Sequence, residues 1–226
     1  MKVSVIIPAY NEDQAIGAVV KGVPARLVDE IIVVDNGSTD ATAARARGAG
    51  AHVVYEPRRG YGAACHAGLK ACAHTDVVAF LDGDTSDDPT ELPLLLSPIE
   101  NNHADFVIGT RLSRSITPQA MPLHARLGNR LIARFMNSAC RLRITDVGSF
   151  KAIRMDLLLS LGMEQMSYGF PVEMLIKAAQ RGARIVEVPV SYRKRIGVSK
   201  VSGTLKGSVL AAYYMLWLPL RYLMKG

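Results

Sequence analysis

The first half of the chain is a series of short apolar runs, most of them stopped by a polar cluster. Val3–Ile7 ends at Pro8 and leads into Tyr10-Asn11-Glu12. Glu30–Val34 runs into Asp35-Asn36-Gly37-Ser38. His52–Tyr55 is a third run, Val77–Leu81 ends at Asp82-Gly83-Asp84, and Phe106–Ile108 is a fifth. Apolar runs this short, bounded by turn residues, fit strands covered on both faces. Helical stretches lie between them. One covers Glu12–Gly22 with Asn11 as a cap. An Ala-rich one is capped by Thr39 or Asp40 and ends near Gly48. Gly60-Tyr61-Gly62 opens a third that runs to about Ala73, and Pro89–Asn101 is a fourth. Strand and helix in regular alternation predict an α/β fold, a Rossmann-like, doubly wound and mostly parallel sheet. In such sheets ligands bind beyond the carboxyl ends of the strands. The three polar clusters are therefore expected to converge on one site.

The pattern changes after residue 112. Arg126–Cys140 reads as a basic amphipathic helix, Asp146–Arg154 as a polar turn and short strand, and Pro171–Gln180 as a helix. Arg184–Val188 reads as a strand and Val190–Arg195 as an extended basic segment. Charge divides at the same place. Residues 1–112 carry 9 Lys+Arg against 15 Asp+Glu, a net −6, whereas residues 113–226 carry 18 against 5, a net +13. The first half suits a cation and the second suits anions such as phosphates or a lipid surface. A nucleic-acid partner is not expected, because aromatics are only 6% of the chain and no nucleic-acid-binding signature is present. With 49% hydrophobic and 21% charged residues the chain can bury a core, which excludes disorder. No apolar run reaches membrane-spanning length, and the apolar stretch at the N-terminus is too short for a signal peptide. Cys65, Cys72 and Cys140 match no metal or redox spacing. The five histidines form no ligand set, and no Ser/His/Asp or Cys/His arrangement emerges. The expected compartment is reducing and cytoplasmic.

Each cluster admits a chemical and a plain reading. Asp82-x-Asp84 at a strand end can hold one hard divalent cation, Mg²⁺ or Mn²⁺, with substrate phosphates completing its shell, and Gly83 lets the turn tighten. The alternative is a pair of solvated turn acids. Asp35 can accept from a ribose hydroxyl or a base N–H, or close an Asx-turn. Gly60-Tyr61-Gly62, preceded by Arg58-Arg59, can contact a diphosphate or only start a helix. Arg193 and Arg195 share one face of an extended segment and suit a phosphate, with Lys200 close by; the alternative is a charged, solvated edge. Gly207–Leu220 has 14 uncharged residues, including Tyr213, Tyr214 and Trp217. As a helix it would span ~21 Å, short of the ~30 Å hydrocarbon core. It suits a helix lying in a membrane interface, or a core or oligomer helix.

Taken together, the motifs carry a resemblance. Val5-Ile6-Ile7-Pro8-Ala9-Tyr10-Asn11-Glu12, Val33-Val34-Asp35-Asn36-Gly37-Ser38-Thr39-Asp40 and Phe80-Leu81-Asp82-Gly83-Asp84 resemble the nucleotide-sugar half of family-2 glycosyltransferases with the GT-A fold. Gly109-Thr110-Arg111, Asp146–Ala152, Tyr168–Glu173 and Glu187–Arg193 resemble the dolichyl/polyprenyl-phosphate mannose and glucose synthases. The resemblance implies a GT-A domain over residues 1–206, with a nucleotide-sugar half at 1–112 and an acceptor half at 113–206. Residues 207–226 would form a membrane-surface helix. Pro8, Ala9, Tyr10, Glu12, Asp35, Arg59, Gly62, Asp82 and Gly83 would hold the nucleotide sugar, Asp82 and Asp84 the metal. Arg130, Arg193, Arg195 and Lys200 would meet the acceptor phosphate, and Asp84, Arg111 and Asp146 would carry the chemistry.

The expected activity is inverting, metal-dependent transfer of a hexose from a UDP- or GDP-sugar to a polyprenyl phosphate. The enzyme would sit peripherally on the inner face of the membrane, and a homo-oligomer is open. A lipid monophosphate is largely ionised at neutral pH and needs no strong base. A hydroxyl acceptor would need one, and Asp146 is the residue for it. Besides transfer to a hydroxyl, two other readings stand: a nucleotidyltransferase, whose glycine-rich start is missing, and a non-catalytic nucleotide-sugar-binding module at a membrane surface.

Overall fold

A computed structural model describes residues 1–112, 123–140 and 142–197. Seven strands form one sheet: β1 (Val3–Ala9), β2 (Glu30–Asp35), β3 (His52–Tyr55), β4 (Val77–Phe80), β5 (Phe106–Thr110), β6 (Lys151–Arg154) and β7 (Ile185–Pro189). The helices are α1 (Ile16–Gly22), α2 (Thr42–Gly48), α3 (Tyr61–Ala71), α4 (Leu92–Glu100), α5 (Leu123–Cys140), α6 (Met155–Ser160) and α7 (Phe170–Gln180). The spatial order is β3-β2-β1-β4-β6-β5-β7. β1 pairs in parallel with β2 and β4, β2 with β3, and β5 with β7, while β6 runs antiparallel to both β4 and β5. The sheet is thus mixed, parallel except for β6.

Alternation along the central strands explains their unbroken apolar character. Ile6, Ile32, Val34, Val78, Phe80, Phe106, Ile108 and Ile153 enter one core with residues of α3, α5, α6 and α7. Val5, Ile7, Val33, Ala79, Leu81, Val107 and Ala152 enter a second core against α1, α2 and α4. Successive side chains point to opposite faces, so a strand covered on both sides has no polar face to show. Each fully buried Ile or Phe contributes about 1.5–3 kcal/mol. Gly68 lets α3 lie close to the sheet, since a Cβ there would come within 2.6 Å of Ile6 Cγ2 and 3.1 Å of Val34 Cγ2.

Two local expectations change. Asn11 does not cap α1, which starts at Ile16. Asn11 adopts a left-handed conformation (φ 51°), its Oδ1 accepts from Thr39 N–H at 2.9 Å, and its own N–H donates to Ser38 Oγ at 3.0 Å. Glu12 N–H donates to Thr42 Oγ1 at 2.8 Å. The loop after β1 is stitched to the loop after β2, and that need outweighs the cap. The second change is α6, a six-residue helix directly after β6 that the sequence pattern did not mark.

The antiparallel β6 matters for the site. Its first residue, Lys151, pairs with Phe80 at the end of β4 and with Ile108 of β5. The start of β6 therefore lies at the same sheet edge as the ends of β4 and β5, and the residues just before it, Asp146–Phe150, arrive among their loops. Strands from both sides of residue 112 share this sheet. Among the described residues no helix is long and apolar enough to cross a membrane.

Candidate active site

The crevice lies where β1 and β4 end, between strands whose connections run in opposite directions across the sheet. Its floor is the acidic loop after β4. Asp84 is buried; its Oδ1 accepts from Ser86 N–H at 2.9 Å and from Ser86 Oγ–H at 2.5 Å, and its Oδ2 meets Arg195 Nη2 at 2.5 Å. Asp88 is paired with Arg193. Ser149 donates to Asp87 Oδ2 at 3.0 Å, and Asp87 Oδ1 is buried with no hydrogen-bond partner among the described residues.

Charge in this loop is crowded. Burial and, after it, the Asp84 carboxylate raise the pKa of Asp82. Burial and then Asp82 push Asp87 up to about 7. Both effects penalise the ionised form. Arg195 pairs with Asp84 and Arg193 with Asp88, while no ion pair reaches Asp82 or Asp87 among the described residues. Among the described residues no three His, Cys, Asp or Glu side chains form a complete metal cage. That donor set fits a hard cation bound through one or two carboxylates with phosphate oxygens supplying the rest.

A second side of the crevice is built by the ends of β1 and β2. Pro8 and Ala9 pair with Val34 and Asp35. Asp35 is buried; its Oδ1 accepts from the N–H of Ser38, three residues on, at 2.9 Å, and its Oδ2 takes no hydrogen bond among the described residues. The guanidinium of Arg59 stacks 3.0 Å above the Tyr10 ring, and its Nη1 donates to Gly37 O at 3.3 Å. Asn36 fixes the segment carrying Arg59: its Nδ2 donates to Glu56 O and Arg58 O, and its Oδ1 accepts from Gly60 N–H. Gly83 is buried and close to Ile16 and Ile7. Gly62 has a different task from the one its spacing suggests. Its N–H is spent on Ser167 O at 3.3 Å, and a Cβ there would lie 2.1 Å from Gln165 O. The Gly60-Tyr61-Gly62 turn lets α3 meet the 165–167 backbone and offers no open phosphate cradle.

Opposite the acidic loop stands a buried ion pair. Arg111 follows β5, and Asp146 precedes β6. Asp146 Oδ2 accepts from Arg111 N–H (3.1 Å) and Nε (2.7 Å), and its Oδ1 accepts from Arg111 Nη2 (2.8 Å) and Val147 N–H (2.8 Å). Four donors fill the four lone-pair positions of the carboxylate. Burial alone would raise its pKa, but the Arg111 guanidinium outweighs burial and holds it below the usual carboxylate range. Asp146 is fully buried. The expected role as a base does not fit this geometry; Asp146 orients Arg111. Glu187 supports it by accepting from Asp146 N–H at 3.0 Å and Thr145 N–H at 2.8 Å. The Arg111 guanidinium also lies 5.0 Å from the Tyr192 ring.

Arg193 and Arg195, expected to face a phosphate, each pair with an acid of the β4 loop instead. Arg130 is exposed on α5 and, with Arg134, Leu112, Ala133, Asn137, Ile144 and Thr145, lines a groove of about 420 Å³. Lys200 and residues 207–226 lie outside the described residues. Sequence reasoning missed Asp87, Ser149, Tyr192 and Lys151. Lys151 is buried and faces Cys65 and Asp82, and burial pulls its amine down to about 8. Its signal was a lone lysine heading an apolar strand.

Comparison with known proteins follows the same lines. The model of Glycosyl transferase family 2 matches residues 4–162. A protein of Mycobacterium tuberculosis named as an uncharacterized glycosyltransferase is 41% identical over 92% of this chain and 94% of its own length. A dolichyl-phosphate hexose transferase of Haloferax volcanii is 33% identical over 92% of this chain and 90% of its own. The crystal structure of glucosyl-3-phosphoglycerate synthase from Mycobacterium tuberculosis, in complex with Mn²⁺, UDP and phosphoglyceric acid, superposes with a TM-score of 0.77. It is 26% identical, covering 96% of this chain and 78% of that one. A GT-A sheet with an acidic loop at the end of β4, matched over most of its length by glycosyltransferases, places this chain in glycosyl transferase family 2, as a hexosyltransferase.

Proposed function

We propose that this enzyme moves a hexose, with inversion, from a nucleoside-diphosphate sugar to a polyprenyl phosphate at a membrane surface. The observation that carries the acceptor reading is the groove beside Arg111. It joins two exposed arginines, Arg130 and Arg134, to the apolar Leu112, Ala133 and Ile144, a lining suited to a phosphate that bears an apolar chain. On the same helix Leu127 and Leu131 are 57% and 63% exposed, and α5 contains no acidic residue. Exposed leucines among arginines fit a helix resting on an anionic lipid surface.

Within this reading Asp35 and the Tyr10–Arg59 stack would hold the nucleoside, and Asp82 and Asp84 would hold a divalent cation. Bound there, Mg²⁺ or Mn²⁺ would neutralise charge that develops on the leaving nucleoside diphosphate. Arg111, locked by Asp146, directs a fixed positive charge toward the acceptor phosphate and offsets repulsion between two anions. No side chain needs to remove a proton, because a phosphate monoester is already ionised.

The Mn²⁺- and UDP-bound structural relative supports a second reading, in which a small phosphorylated acid takes the acceptor place. A panel of UDP- and GDP-sugars, each offered with polyprenyl phosphate, polyprenol or 3-phosphoglycerate, separates the readings. Label entering the organic phase only with the lipid phosphate is the expected result. Transfer to 3-phosphoglycerate alone would replace the lipid acceptor.

A further inference from the structure

The segment after β7 lies across the acidic loop like a strap. Ser191 N–H and Oγ–H donate to the Glu91 carboxylate at 2.7 and 2.9 Å. Tyr192 forms a β-bridge with Asp87, Arg193 N–H donates to Ser86 O at 2.9 Å, and Ile196 N–H donates to Asp84 O at 3.0 Å. The strap ends over the loop after β1, where a Cβ on Gly197 would sit 3.6 Å from Glu12 Oε2. Backbone pairing thus holds it across the mouth of the donor crevice.

Its two arginines differ. Arg193 is 63% exposed, so its pairing with Asp88 contributes little. Arg195 is 28% exposed and meets an Asp84 side chain that is 6% exposed. Tyr192 also bonds to Arg195 and helps to aim it. Because Ser86 already fills Asp84 Oδ1, the guanidinium takes the remaining oxygen. The same loop holds Asp87 Oδ1, buried and without a partner among the described residues, so its acceptors outnumber the donors the strap brings.

We propose that Arg195 is a displaceable counter-ion: its guanidinium occupies the Asp84 oxygen needed by the divalent cation, and it leaves that oxygen for the diphosphate when the donor binds. The inference rests on the metal–diphosphate reading of the site. A guanidinium and a dication on the same Asp84 Oδ2 would repel at contact distance, so each weakens the binding of the other. A diphosphate is a better partner for a guanidinium than a single carboxylate oxygen, since it offers several charged acceptors. Arg195 therefore couples the two ligands. It weakens metal binding while no nucleotide is present, and its withdrawal toward the diphosphate removes that penalty. By linkage the metal strengthens nucleotide binding by the same factor.

The test is Mn²⁺ binding read by electron paramagnetic resonance of the free ion, on the full chain, with and without UDP or GDP. Wild type, Arg195→Gln, Arg195→Lys and Asp84→Asn are compared, each checked for fold by near-ultraviolet circular dichroism. Arg195→Met repeats the test if glutamine disturbs the strap. Without nucleotide, Arg195→Gln should bind Mn²⁺ about tenfold more tightly than wild type, the scale of one charged hydrogen bond. The gain in Mn²⁺ affinity on adding nucleotide should shrink by the same factor, and Arg195→Lys should stay near wild type. Wild-type Mn²⁺ affinity in Arg195→Gln, with binding lost in Asp84→Asn, would overturn the counter-ion and leave the metal site standing. Wild-type binding in Asp84→Asn would overturn the metal site itself, and the counter-ion with it.

Discussion

Replacing Asp146 by Asn is the most informative single change in the described structure. It keeps the shape and removes the charge. It also turns one oxygen into an NH₂ group that must face Arg111, whose backbone N–H, Nε and Nη2 all donate to this carboxylate. The side chains of Arg111 and Asp146 are 13% and 0% exposed. Breaking a buried pair by removing one partner costs about 3–5 kcal/mol. At an m-value of about 2–3 kcal/mol/M, the urea midpoint should fall by about 1–2.5 M. The decisive assay is a double-mutant cycle with Arg111→Met, scored by stability and by kcat/KM for the acceptor. If Asp146 acts through Arg111, the double variant should lose scarcely more than either single one, with strong coupling between the pair. A base acting on its own would give additive losses in kcat with stability intact. Additive losses, or a stability change below about 1 kcal/mol, would refute the assignment.

Other consequences are simpler to check. Gly62→Ala drives a methyl group into the Gln165 carbonyl, so it should destabilise the fold by about 1–3 kcal/mol in urea unfolding. Its effect on nucleotide affinity should come only through that loss. Asp105 is held at about 2, chiefly by its hydrogen bond from Arg184. A carboxyl depressed in the folded state adds stability above pH ~4 that is lost as pH falls toward 2. Asp105→Asn should flatten that acid limb in a stability–pH profile. Replacing Leu127 and Leu131 together with Ser should weaken co-sedimentation with anionic vesicles while leaving the melting temperature within a few degrees, because both side chains are more than half exposed.

Much of the fold was legible because it rests on local pattern. Short apolar runs marked β1, β2, β3 and β4, and the polar clusters that follow β1, β2 and β4 do gather at one sheet edge. What escaped depends on partners distant in sequence. Nothing in Lys151-Ala152-Ile153-Arg154 states that the strand enters between β4 and β5 in the reverse direction. That insertion is what brings Asp146 to Arg111 and Ser149 to Asp87. The Arg193–Arg195 pattern was visible, but its partners were not. An extended basic segment can meet a ligand phosphate or its own acidic loop, and spacing cannot distinguish the two. Gly60-Tyr61-Gly62 failed for a related reason: a glycine pair signals a close approach without naming what approaches, here the backbone at Gln165–Met166. Lys200 and residues 207–226, expected to meet phosphate and membrane, lie outside the described residues.

The central claim is that carboxylates at the end of β4 hold a cation on the donor diphosphate while Arg111 faces an anionic lipid acceptor. Its most direct test is transfer of labelled hexose into the lipid phase from the best UDP- or GDP-sugar. Wild type, Asp84→Asn and Arg111→Met are compared, with Mn²⁺ or with a chelator. The account predicts lipid-phase product only for wild type with metal, and a loss of about a thousandfold or more in Asp84→Asn, the scale of removing the group that stabilises leaving-group charge. Product formed at the wild-type rate by Asp84→Asn, or in the presence of chelator, would contradict it.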